Sequence, residues 1–145
     1  MYNKIRILGV KTILLSSVLL SSTLFGADGY EVYKKNCMSC HVELMSAKEA
    51  MKKLGTLKAP PMVEVSNRLR ENIIIKDDDD DVHRYVVTLF IKDYIQNPNL
   101  QNSMCHAGAL ERFGVMPELK NKLSDKEKQA VAEWIYDRYE NVKFQ

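Results

Sequence analysis

One pentapeptide constrains this chain more than any other feature. Cys37-Met38-Ser39-Cys40-His41 is a C-x-x-C-H motif. On a helical turn, residues three apart share a face, so both thiols present themselves on the same side. Two thiols so placed reach the two vinyl groups on one edge of a porphyrin and form thioethers, and His41 then falls beneath the ring where its imidazole binds the iron. Two covalent bonds and one coordinate bond thus come from a single turn. This suits a chain of 145 residues, which is long enough for one modest domain and not for two.

Other uses of C-x-x-C fit the rest of the chain less well. A thioredoxin-like redox pair needs a βαβ pattern nearby, and no segment here alternates as a strand does. A zinc site from Cys37, Cys40 and Cys105 with a histidine would have to use the adjacent Cys105 and His106 on one tetrahedral ion, an awkward geometry. A disulfide between Cys37 and Cys40 leaves His41 without a purpose.

The first 26 residues read as a targeting segment. Lys4, Arg6 and Lys11 precede Thr12–Phe25, a charge-free and mainly apolar stretch followed by the small residues Gly26 and Ala27. This is the pattern of a secretory signal peptide over 1–26, leaving 27–145 as the domain. The alternative is an uncleaved membrane anchor, although a spanning helix needs about 20 apolar residues and Lys11 interrupts this run. The formal charge of +2 comes from 21 basic and 19 acidic residues. Without Lys4, Arg6 and Lys11 the balance is 18 against 19, or −1. The basic excess therefore belongs to the export segment, and nucleic-acid binding is not indicated.

The domain itself reads as helical. Asp28–Asn36 is a short helix running into Cys37, and Ala59-Pro60-Pro61-Met62 breaks the chain before Met62, Val65, Leu69 and Ile73 recur at helical spacing. From about Asp80, Val82, Val86, Leu89, Phe90 and Ile95 trace another apolar face, ended by Asn97-Pro98. Ser124-Asp125-Lys126-Glu127 is a capping box that opens a last helix with Val131, Trp134, Ile135 and Arg138 on one side.

A haem held by His41 takes a second axial ligand from far along the chain. Met116 is best placed, because Phe113-Gly114-Val115-Met116-Pro117 is a loop forced by Gly and Pro ahead of the final helix. His83, His106, Met62 and Met104 are the other candidates, and core filling is the ordinary use of a methionine. A Met/His pair raises the reduction potential relative to two histidines.

Taken together, Gly29–His41, Ala59–Met62, Arg112–Pro117, Leu123–Glu127 and Ala130–Ile135 resemble, in order, the class I monohaem cytochromes c of bacterial periplasms. The resemblance implies an all-α cytochrome c fold in which N- and C-terminal helices pack across a covalently bound haem. It implies one haem c with its iron, attached through Cys37 and Cys40 and ligated by His41 and Met116. It further implies that the carbonyl of Pro60 or Pro61 accepts the His41 imidazole N–H, and that Gly29 and Tyr33 meet the last helix near Trp134 and Ile135.

Two features depart from the simplest members. Asn72–Asp81 adds length and an acidic run, Asp77 to Asp81, read as carboxylates at a helix N-terminus, with partner docking or Ca²⁺ binding as the sharper alternatives. Cys105 is left single, either buried as a small apolar residue or available for an intermolecular bridge; Asn102 stands where a second C-x-x-C-H would need Cys. No acid–base or nucleophile constellation suggests an enzyme. The expectation is a monomeric periplasmic one-electron carrier, soluble or peripherally membrane-associated, that meets membrane or periplasmic redox enzymes transiently. Its rivals are a cytochrome subunit of a larger redox complex and a haem sensor or peroxidase-like protein.

Overall fold

The computed structural model describes residues 26–76 and 79–145. The export segment, apart from Gly26, and Asp77 and Asp78 of the acidic run lie outside the described residues. Among these residues six helices follow in order: α1 (Gly29–Asn36), α2 (Ala47–Lys53), α3 (Met62–Asn72), α4 (Asp80–Tyr94), α5 (Ala107–Phe113) and α6 (Asp125–Asp137). Among the described residues there is no strand. α6 is the hub, packing on α1, α3 and α4. The core lies between them, with Val32 and Tyr33 from α1, Val63 and Leu69 from α3, Val87 and Ile91 from α4, and Val131, Ala132 and Ile135 from α6.

Every helix but α3 starts where a side chain at its N-cap accepts from its free N–H groups, whereas α3 follows Pro61 and has no side-chain cap. The Asp28 carboxylate accepts from Tyr30 at the head of α1, and Asp79 from Val82 at the head of α4, both at 2.9 Å. Asp80 and Asp81 occupy the first turn of α4, so the described part of the acidic run serves a helix terminus as expected. α2 and α5 are additions to the sequence reading. α2 carries the same capping box as α6, Ser46 with Glu49, and that signature was legible. α5 is opened by an unusual cap, the His106 Nδ1 accepting from the Ala109 N–H at 3.1 Å.

The apolar face of α4 is rotated from the one the periodicity suggested. Val87, Thr88, Ile91 and Ile95 are buried, whereas Val82 and Leu89 are 44% and 43% exposed. The helix has apolar residues on more than one side, and which side faces inward is fixed by ties to α6. Arg84 forms a two-pronged pair with Asp137 at 2.8 and 2.6 Å, and Lys92 donates to Gln129.

In the α6 capping box the Ser124 N–H and hydroxyl donate to the Glu127 carboxylate at 2.8 and 2.7 Å. The backbone bond, then the hydroxyl bond, holds that carboxyl below the ordinary Glu range. Since the folded-state value is the lower one, the stabilisation is present above the ordinary Glu value and is lost as pH falls through the depressed one. Glu127→Gln keeps the shape without the titration. The stability gap between wild type and variant, read from denaturant midpoints, is expected to narrow on acidification; a gap independent of pH would refute this.

Candidate functional site

Cys37 caps the C-terminus of α1, and the chain continues in a tight turn: the Cys40 and His41 N–H groups both donate to the Cys37 carbonyl, at 3.0 and 2.9 Å. The C-x-x-C-H residues therefore form one helix-like turn, as their spacing predicts. Both thiols and the His41 ring open on one cavity of about 220 Å³. Its walls are mainly apolar: Phe90 and Ile91 from α4, Leu119, and Ile135 from α6.

His41 is the most closely defined group in the site. Its Nδ1 lies 2.8 Å from the Pro60 carbonyl oxygen. A carbonyl only accepts, so Nδ1 carries the proton. Burial lowers the imidazole pKa, against the opposing pull of the Pro60 bond, and favours the neutral ring. In a neutral ring protonated at Nδ1, Nε2 bears the lone pair. The side chain is thus held as a neutral donor with its free nitrogen available for a metal, the arrangement in which a partner on the far ring nitrogen orients a ligating histidine. The choice between the two prolines is also resolved: Pro60 accepts, while Pro61 is the cap residue of α3.

The Cys37 thiol is pushed up to about 11, first by burial and then by Cys40. None of the three cysteines is in a disulfide. Among the described residues no three His, Cys, Asp or Glu side chains group as a metal site, and the tetrahedral zinc alternative finds no support.

Met116 lines the same cavity. Gly114, at φ +69°, ends α5 and turns the chain toward it, a backbone conformation that side-chain-bearing residues rarely adopt. Beyond Pro117 the Leu119 N–H donates to the Ile95 carbonyl at 2.8 Å, tying the loop to the end of α4. Met62 and Met104 also reach the wall, but Met62 is 3% exposed at the start of α3 and belongs to the core.

The two other histidines are engaged elsewhere. His83 lies between the Tyr136 hydroxyl at 2.7 Å and the Ile73 carbonyl at 2.9 Å, beside a separate polar hollow of about 250 Å³. His106 spends its Nδ1 on the α5 cap. Neither lines the cysteine-bearing cavity. Cys105 does line it and is half-buried, so it is less interior than its sequence setting suggested.

A cavity with apolar walls, two thiols on one turn, a neutral imidazole of fixed tautomer and a thioether on a constrained loop fits a covalently held porphyrin. The polar residues on its rim, Lys58, Glu64 and Arg68 among them, supply a wet edge. Sequence comparison agrees with this chemistry. The family described as "Cytochrome C oxidase, cbb3-type, subunit III" matches residues 26–135. An "Uncharacterized protein" of Aquifex aeolicus (strain VF5) is 37% identical over 141 residues, covering 87% of each chain. No solved structure matches the sequence.

Proposed function

The chain belongs to the family of cytochrome c oxidase, cbb3-type, subunit III, and from that premise we propose that it is a periplasmic one-electron carrier with a His41/Met116-ligated haem. Membership makes it a c-type cytochrome with covalently bound haem c and its iron, and points to electron transfer with redox partners. Cys37 and Cys40 would hold the haem covalently, and His41 Nε2 and the Met116 sulfur would hold its iron. Bound there, the haem supplies a one-electron iron couple.

What the chain's own residues contribute follows from their chemistry. The Pro60 carbonyl holds the His41 proton at Nδ1 and so keeps Nε2 free. Phe90, Ile91, Leu119 and Ile135 line the cavity with apolar surface and would keep water from a bound haem. With His41 and Met116 both holding the iron, small molecules would not reach it, and one-electron exchange would be the chemistry the haem supplies. The observation that carries this reading is the single cavity shared by both motif thiols, a tautomer-fixed His41 and the Met116 loop.

Residues 1–26 act as the export signal in this reading and 27–145 as the cytochrome domain. No helix among the described residues is long and apolar enough to cross a membrane.

The purified protein is expected to show a low-spin ferric spectrum with the weak far-red sulfur-to-iron band. Acidified acetone is expected to leave the colour with the protein. A high-spin ferric spectrum, or rapid binding of CO or cyanide, would favour a sensor or peroxidase-like site and overturn the carrier. Extraction of the pigment would refute thioether bonding. The family's description as an oxidase subunit favours a second reading, a cytochrome subunit of a larger complex. Stoichiometric co-purification of other subunits from native membranes would establish it in place of the free carrier.

A further inference from the structure

Tyr33 is, with Tyr139, the largest fully buried side chain among the described residues, with 0% of its surface exposed. Its ring stacks on Trp134 of α6, centroids 4.6 Å apart. Its hydroxyl donates to the backbone carbonyl of His41 at 2.6 Å, reaching over eight residues from α1 to the last residue of the C-x-x-C-H turn. A buried phenol ordinarily finds a partner, yet Tyr139, 1% exposed in the same core, has none for its hydroxyl among the described residues. The packing thus tolerates a phenol without a partner, and satisfying the hydroxyl does not by itself explain where Tyr33 points.

The chain beyond His41 is fixed from the opposite direction. The Met62 N–H donates to the Val42 carbonyl at 2.7 Å and the Val63 N–H to the Glu43 carbonyl at 3.2 Å, binding this strap to the first turn of α3. Pro60, just before that turn, receives the His41 ring proton. On the α3 side the ring and the following backbone are therefore both held. On the α1 side the His41 N–H is held by the Cys37 carbonyl at 2.9 Å, and the hold on the His41 carbonyl is the Tyr33 hydroxyl.

We propose that Tyr33 is a positioning residue for the proximal ligand: its hydroxyl fixes the His41 main chain so that the imidazole stays seated on the Pro60 carbonyl. The inference rests on the reading of His41 as an iron ligand. Loss of the bond leaves the ring stack and the thioether cysteines in place. It frees the His41 carbonyl to rotate, and with it the alignment of Nδ1–H on Pro60.

The test uses the reduced holoprotein labelled with ¹⁵N-histidine, where low-spin ferrous iron is diamagnetic and the His41 Nδ1–H is a resolvable resonance. Tyr33→Phe is expected to speed exchange of that proton roughly three- to tenfold, the factor that one hydrogen bond of ordinary net strength supplies, and to shift its resonance. Tyr136→Phe is the matched control. It removes a buried phenol's bond to His83 instead, and leaves the His41 proton unchanged. Fluorinated tyrosine at position 33, a stronger donor of nearly the same shape, moves the His41 resonance in the opposite direction.

If Tyr33→Phe leaves His41 exchange at the wild-type rate, or if Tyr136→Phe changes it equally, the positioning role is refuted and Tyr33 serves packing alone. If the wild type itself shows no slowly exchanging imidazole proton shifted by a haem ring current, His41 is not the ligand and the underlying reading falls with the inference.

Discussion

Gly29→Ala is expected to lower the melting temperature by about 10 °C. Gly29 is the first residue of α1 and lies directly against α6. A Cβ built there falls on the Ala130 carbonyl oxygen and within 2.5 Å of the Trp134 Cβ. The first obstacle is backbone and cannot rotate aside, so the two helices must separate. Separation loosens the Tyr33–Trp134 stack and the burial of Val32, Val131 and Ala132 behind it.

Two opposing effects set the size. Alanine favours a helix by up to ~1 kcal/mol over glycine, while overpacking a closed interface costs about 1–3 kcal/mol and occasionally more. The clash involves backbone on one side and a Cβ on the other, which places it at the upper end, for a net loss of about 2–3 kcal/mol. At roughly 4 °C per kcal/mol for a domain of this size, a fall of about 10 °C follows. Thermal unfolding followed by circular dichroism measures it. Gly55→Ala, with nothing within 4 Å of the added carbon, is the control and is expected to change stability by less than ~0.5 kcal/mol. Equal stability of Gly29→Ala and wild type would show that α1 and α6 do not meet as closely as described.

The second large effect is expected at Met116. Met116→Ala should abolish the far-red sulfur-to-iron band and open the iron to exogenous ligands such as cyanide. Met116→His should retain a low-spin spectrum while the midpoint potential falls by a sizeable part of the roughly 0.8 V over which axial ligands set haem potentials, because imidazole stabilises the ferric state more than a thioether does. Met104→Ala separates this assignment from its nearest competitor, since Met104 lines the same cavity. Loss of the band in Met104→Ala, with its retention in Met116→Ala, would transfer the distal role to Met104. Neither change touches the C-x-x-C-H turn, so the colour is expected to stay covalently bound in both.

Much of the fold was legible because its signals are local. The α6 capping box needs only Ser124 and Glu127, three residues apart, and the structure forms it as written. The same rule applied to Ser46 and Glu49 gives α2. α5 was harder to read: its N-cap is a histidine, and only the glycine at its C-terminal end, Gly114, is an ordinary signal. The orientation of α4 was not legible, since a helix with apolar residues on several sides takes its inward face from its neighbours, here through Arg84–Asp137 and Lys92–Gln129.

The sequence by itself determined the chemistry of the site: two thiols and an imidazole within five residues, whose spacing on a helical turn directs all three to one side whatever surrounds them. It also determined the class of fold, through caps and breakers that act over three or four residues. Only the tertiary structure decided which proline receives the His41 proton, that His83 and His106 are committed elsewhere, and that Tyr33 reaches back to the His41 carbonyl. The physical reason is range. A cap or a turn is fixed by bonds along the chain, whereas a buried polar group takes its partner from whichever element packing brings within about 3 Å, and that depends on every helix at once.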